Sequence, residues 1–423
     1  MSGLGEEFFA WQAQYRPREY LLACSGGVDS MVLLHELHDA KARLSAPLRV
    51  IYINHGWHEQ AAAWGELVQK TAYDYGFSCQ IVPLNLPKQG NAEAQAREAR
   101  YAVFAQTLAE RGVLLTAHHQ DDQAETFLLN LLRGSGIEGL SAMPARRVFA
   151  QGEHWRPLLT SSRADLEHRL ALYGLNHVCD DSNADIRYRR NWLRHEVLPL
   201  LQSRYPQAIA SIAQSAAHVA EARGLQEQWL DGLLSQHQTA FPLAPYRDKP
   251  LAQLAIFLRR WLVLQALPLP PRARLQEFLR QIAAGADYAA IEYAQTLLYY
   301  YDDAIHYLSQ QAPSAPPSFA LTTDWAGIGR LEVQAGHELL RGKDCRWTLY
   351  PPAQAFRPVG KRHAKPLKEW LRLARIAPPL RRRLPLLWVD GQLAWAGELG
   401  AATAFAQLVL LWHRKPNSDT IAR

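Results

Sequence analysis

The sequence predicts an α/β fold with a doubly wound, mostly parallel sheet, followed by an all-α domain and a small α+β C-terminal domain. Three observations predict it. Over about the first 200 residues, short apolar runs alternate with amphipathic segments, the pattern of a parallel sheet covered by helices on both faces. After about residue 203 the chain becomes rich in Ala, Leu, Gln and Arg at helical spacing, with no comparable strand runs. A proline-rich stretch, APSAPPS at 312–318, then reads as a linker. The expected domains are 1–204, 205–311 and 318–423 of the 423 residues, in keeping with roughly 150 residues per domain.

Taken in order, 20–24 (YLLAC) is a compact strand, 25–29 a turn and 30–39 a helix. Residues 48–53 form the clearest strand, 62–75 have helical spacing, and 78–84 are strand-like. A long helix spans 91–111, a strand 113–117 and a helix 121–132. Residues 206–234 and 251–301 read as helical, 321–333 alternate loosely like a strand, and the tail from 340 mixes short strands with one basic helix. Open parallel sheets bind ligands beyond the carboxyl ends of their strands, and the polar clusters follow those ends.

Hydrophobic residues make up 48% and charged residues 20%, an ordinary globular balance. A net charge of +6 favours a polyanionic partner without proving one. Cys24, Cys79, Cys179 and Cys345 lie far apart with no CxxC pair, so neither a zinc ribbon nor a dithiol site is readable. The N-terminus lacks a signal-peptide pattern and no apolar run reaches membrane-spanning length. A cytoplasmic protein without a membrane partner is expected.

Ser25, Gly26, Gly27, Val28, Asp29 and Ser30 lie between a buried strand and a helix. Two glycines permit a tight turn and close approach of backbone N–H groups to an anion, and the helix adds its positive end. Phosphate binding is the natural use. A bare SGG turn with Asp29 or Ser30 as a helix cap is the plainer alternative.

In 117–126 (AHHQDDQAET), helical spacing lets Asp121, Asp122 and Glu125 share a face. Like charges so placed call for a cation or basic ligand, and Mg2+ suits an all-oxygen site bridging to phosphate. An acidic first turn favourable to the helix dipole is the alternative. For His118 and His119, packing or capping outranks proton transfer. Arg97 and Arg100 could clamp phosphate or nucleic-acid backbone, or form a solvated face. Asp180–Asn183, Tyr188, Arg190, Asn191, Arg194 and His195 form the densest polar cluster, with Arg190 and Arg194 one helical turn apart.

The hexapeptide SGGVDS resembles the PP-loop of enzymes that cleave ATP between its α and β phosphates. With AREARY at 96–101, AHHQDDQAET at 117–126, RGSGIEGL at 133–140, RPLL at 156–159 and DDSNADIRYRRNWLRHEVLPLL at 180–201, the chain is similar to the tRNA(Ile)-lysidine synthetases. RPVG at 357–360 and PPLRRRLPLL at 378–387 extend the likeness into the tail. The resemblance implies an adenine nucleotide alpha hydrolase-like fold, ATP and Mg2+. It also implies adenylation of the wobble cytidine of a tRNA(Ile) with a CAU anticodon, and attack by free L-lysine to form lysidine. Asp29, Asp122 and Glu125 are the residues expected at the metal. Arg97, Arg100, Arg190 and Arg194 are expected to stabilise charge at phosphorus, and Asp121 or Asp122 to deprotonate the lysine. The tail cations Lys361, Arg362, Lys365, Lys368 and Arg381–Arg383 are either a tRNA grip or a solvated run. A homodimer is left open. The rival readings are a tRNA thiolase, an amidating ligase of the same fold, and a non-catalytic RNA-binding protein.

Overall fold

The computed structural model describes residues 4–84, 92–180, 185–310, 313–350 and 353–414. It divides into two compact units at 226/227. In the first, α1 (Glu6–Tyr15) leads to β1 (Tyr20–Ala23), α2 (Val28–Asp39), β2 (Leu48–Asn54), α3 (Ala61–Asp74) and β3 (Ser78–Pro83). Then come α4 (Ala92–Thr107), β4 (Val113–Thr116), α5 (Gln120–Leu132), α6 (Ile137–Leu140), β5 (Arg146–Phe149), β6 (Gly152–Trp155) and α7 (Arg163–Tyr173). A short α8 (Arg189–Trp192) runs through a π turn at Leu193–Val197 into α9 (Leu198–Arg204).

The sheet order is β3-β2-β1-β4-β6-β5. All pairings are parallel except β5 with β6. Strand alternation explains its two covered faces. Tyr20, Leu22, Val50, Val113 and Leu115 enter one core with Val32, Leu33 and Val68. Leu21, Ile51 and Leu114 point the other way, against Phe104 of α4 and Leu108 just after it. The chain winds outward from β1 to β3, then returns to place β4 on β1's other side. That reversal opens a crevice between the carboxyl ends of β1 and β4, where the loops entering α2 and α5 meet.

The unit boundary falls inside α10 (Ala208–Leu234). In the second unit, β7 (Phe241–Pro242), α11 (Leu251–Leu264) and α12 (Arg272–Ala283) precede β8 (Tyr288–Tyr293), β9 (Thr296–Tyr301) and β10 (Ala304–Ser309). Here the expected all-α domain needs correction: a four-stranded sheet, β7-β10-β9-β8, packs on the helices around Phe241, Trp261 and Phe278. Residues 251–301 were expected to be helical throughout. The two hairpins turn at Ala294-Gln295 and Asp302-Asp303, all four at positive φ, the backbone of tight two-residue turns.

The tail contains β11 (Thr322–Trp325), β12 (Gly329–Ala335), β13 (Cys345–Leu349), β14 (Ala355–Phe356) and β15 (Lys365–Pro366). α13 (Leu367–Leu373), α14 (Pro378–Arg381), β16 (Pro385–Val389), β17 (Gln392–Ala396) and β18 (Val409–Arg414) complete it. The single strand expected over 321–333 is instead the β11–β12 hairpin, which β18 extends on the far side of β12. Among the described residues no helix is long and apolar enough to cross a membrane.

Candidate active site

The loop after β1 is shaped by its own side chains. Ser30 Oγ accepts from Ser25 N at 3.2 Å and donates to Gly27 O at 3.0 Å. Gly26 sits at φ +83°, and a Cβ there would meet Val178 Cγ2 at 3.1 Å; left-handed backbone and a close neighbour together require glycine. Val28 is buried in the core and anchors the start of α2. Asp29 projects from that first turn, where one Arg163 Nη1 donates to both carboxylate oxygens at 2.7 and 2.8 Å. Burial raises the Asp29 pKa, and the charges of His119 and Arg163 only partly offset it.

Opposite, α5 begins at His119. Asp122 Oδ2 accepts from the His119 backbone N–H at 3.0 Å, and Asp121 Oδ1 accepts from the Arg163 backbone N–H at 2.8 Å. The His119 ring lies among three carboxylates: Nε2 is 3.7 Å from Asp29 Oδ2 and 3.5 Å from Asp122 Oδ2, and Nδ1 is 3.5 Å from Asp121 Oδ1. Burial alone would lower its pKa. The Asp121 contact and the charges of Asp122 and Asp29 outweigh burial, and the pKa rises.

Asp29 and Asp122 therefore flank the same ring nitrogen, His119 Nε2. Two carboxylates suit magnesium, which completes its shell with water and phosphate oxygens instead of an all-protein cage. Among the described residues no three His, Cys, Asp or Glu side chains converge as a cage. Glu125, also expected at the metal, lies behind Asp122. It is fully buried, and both its oxygens are taken: Arg190 Nε donates to Oε2 and Arg194 Nε to Oε1, each at 2.6 Å. Arg190 and Arg194 also reach Asp122 Oδ1, at 2.7 and 3.2 Å. Burial would raise the Asp122 pKa, but Arg190 and the two histidines hold it well below the usual range. The π turn at Leu193–Val197, a widening common at functional sites, lies in the segment presenting these arginines.

A cavity of about 550 Å3 opens over the loop. Its lining includes Ser25, Gly27, Asp29 and Ser30 of the loop, the apolar side chains of Ile51, Ile53, Trp57 and Trp64, and Arg97, Arg100, Tyr101 and His118. A glycine loop and apolar side chains lining one cavity suit a nucleotide. Asp180, Tyr188 and Asn191 also line it, while Asp181, Ser182 and Asn183 lie outside the described residues.

A PP-loop domain family model matches residues 5–201, and a TilS substrate C-terminal domain model matches residues 345–410. The tRNA(Ile)-lysidine synthase of Xanthomonas campestris pv. campestris (strain 8004) is 36% identical over 397 residues, 90% of this chain and 91% of that one. The chain belongs to the tRNA(Ile)-lysidine synthase family. Family members of the same name from Alkalilimnicola ehrlichii and Salmonella paratyphi B are 35% and 34% identical over 421 residues, with 91% and 97% of their lengths covered.

Family membership places the C-terminal cations in context, and the structure divides them. Arg381 Nε donates to Ile376 O at 2.8 Å and Arg383 to Ser309 O, so these two guanidinium groups brace the fold. Arg382 is exposed, as are Lys361, Arg362, Lys365 and Lys368. Lys361 and Lys365 lie 5.8 and 5.5 Å from the Trp370 ring.

Sequence reasoning missed Arg163 altogether and, for His119, which does stand at the N-cap of α5, missed the surroundings. Arg163 follows Ser162 in a capping box with Asp165, which signals a helix start but not a reach to Asp29. His119 carries no local sign that three carboxylates surround it.

Proposed function

We propose that this chain ligates L-lysine to C2 of the wobble cytidine of tRNA(Ile) bearing a CAU anticodon, forming lysidine and releasing pyrophosphate and AMP. The observation that carries this reading is the meeting of Asp29 and Asp122 across His119, at the β1/β4 switch point above a phosphate-shaped loop. ATP lies over Ser25–Ser30 with its base against the apolar side chains. Asp29 and Asp122 are the residues that would hold Mg2+, which would supply Lewis-acid stabilisation of charge on the leaving pyrophosphate. The cytidine O2 attacks the α-phosphate, and Arg97 and Arg100 add positive charge along the cavity wall. Adenylation converts a poor leaving oxygen into AMP, so the lysine ε-amine can displace it at C2. Asp121 takes the amine proton, because Asp122 is engaged by Arg190 and Arg194. Glu125 acts one step away, by anchoring Arg190 and Arg194. Nucleoside analysis of tRNA(Ile) incubated with ATP and L-lysine tests this, with lysidine at the wobble position as the expected product.

The domain division that fits this work is a catalytic domain at 1–204, a substrate-binding domain at 205–311 and a tRNA-binding domain at 318–423. Lys361, Arg362, Lys365 and Lys368 are the backbone grip of the last. Such contacts position the RNA and release counterions. Replacing all four with Ala should raise the KM for tRNA, leave those for ATP and lysine nearly unchanged, and flatten the salt dependence by roughly one unit of slope per lost contact. An unchanged slope would reduce the patch to charged surface.

A further inference from the structure

Beneath the cavity lies a chain of buried polar groups outside the mechanism above. Arg156 Nη2 is 3.3 Å from His154 Nδ1, His154 Nε2 is 2.8 Å from Thr116 Oγ1, and Thr116 Oγ1 is 2.8 Å from His118 Nδ1. His154, Arg156 and Thr116 are buried, whereas His118 and Thr116 line the cavity.

The direction of this chain is fixed from one end. A guanidinium can only donate, so His154 Nδ1 accepts. A neutral imidazole then carries its proton on Nε2 and donates it to Thr116 Oγ1. Among the described residues the Thr116 hydroxyl meets His154 Nε2 and His118 Nδ1, and an unsatisfied buried hydroxyl is costly. It therefore donates to His118 Nδ1, which places the His118 proton on Nε2. We infer that Arg156, His154 and Thr116 form a relay that holds His118 in its neutral Nε2–H form, as a fixed hydrogen-bond donor to an acceptor oxygen of the adenylated intermediate. Arg156, His154 and Thr116 are positioning residues and His118 is the donor.

The surroundings keep both rings neutral. Burial lowers the His118 pKa to about 3; Asp122 opposes the shift, and Arg156, Arg190 and Arg97 reinforce it. Burial, Arg156, Arg147, His118 and Arg97 together lower His154 to about 2. His118 thus contrasts with His119, one residue on, whose carboxylate neighbours favour its charged form. A neutral donor offers an N–H without adding a charge among four arginines, and its preset tautomer spares reorganisation during the reaction.

The inference rests on reading the cavity as the nucleotide site, so its test has an arm independent of activity. Long-range 1H–15N NMR of the full-length protein labelled with 15N-histidine reads the tautomer directly, with His118→Gln used to assign the signal. Wild type and Thr116→Ser should show the Nε2–H pattern for His118. Thr116→Val, nearly isosteric but without the hydroxyl, should lose it. In the lysine-free adenylation step, Thr116→Val should lower kcat about tenfold with the KM for ATP within about twofold, and Thr116→Ser should restore the rate. An Nδ1–H pattern in the wild type, or an unchanged tautomer in Thr116→Val, overturns the relay. The expected spectra in a protein that never adenylates tRNA would support the relay and contradict the functional reading instead.

Discussion

Asp29→Asn should reduce AMP formation by on the order of 10²–10³-fold while shifting the Tm by no more than a few degrees. The first half follows from place. Asp29 and Asp122 are the carboxylates that flank His119 Nε2, Asp29 lines the cavity over the loop, and losing one of a pair of charge-handling groups removes stabilisation made chiefly in the transition state. The second half follows from the pKa. Burial raises it above the ordinary carboxylate value, so the folded protein disfavours the charged form. An amide removes that cost. Arg163 is not orphaned by the change, because its Nε still donates to Glu167 Oε1 at 2.8 Å. AMP release and a thermal melt on the same preparation check both halves, and a substantially active Asp29→Asn protein would contradict the phosphate-loop mechanism.

Glu125→Gln should behave in the opposite way, as a stability variant first. Glu125 is fully buried and its two oxygens meet Arg190 and Arg194, whose side chains are 26% and 35% exposed. Removing one charge from a buried ionic cluster leaves its partners uncompensated. Partial exposure of the arginines tempers the loss, to about 3 kcal/mol where fully buried pairs reach 3–5. For a unit of this size that corresponds to a Tm lower by roughly 6–12 °C. Activity should fall as well, because the released guanidinium groups also hold Asp122. An unchanged Tm with a raised magnesium requirement would return Glu125 to the metal.

These two variants separate what the sequence made legible from what it did not. β1, β2 and β4 are short buried apolar runs, and each ends in a polar cluster, so strands, switch point and phosphate loop could all be read. The spacing of Asp121, Asp122 and Glu125 put them on one helix and was read as a metal site. Their different work depends on Arg190 and Arg194, 65 and 69 residues away from Glu125. The same limit hid Arg163, 134 residues from Asp29. Residues 288–309 were missed for a local reason. Their hairpins turn at Ala294-Gln295 and Asp302-Asp303, without the Asn-Gly or Asp-Gly pairs that mark such turns in sequence. The Ala, Leu and Gln around them favour helix by propensity, and packing on Trp261 and Phe278 decides otherwise.

The most direct measurement separates the two chemical steps. The incubation with ATP and tRNA(Ile) is run first without L-lysine and followed by AMP release and by the mass of the tRNA. The account predicts pyrophosphate release and accumulation of an adenylated tRNA, then rapid discharge to lysidine and AMP once lysine is added. Discharge by sulfide or ammonia as fast as by lysine would contradict the lysine assignment, and failure to form any adenylated tRNA would contradict the mechanism as a whole.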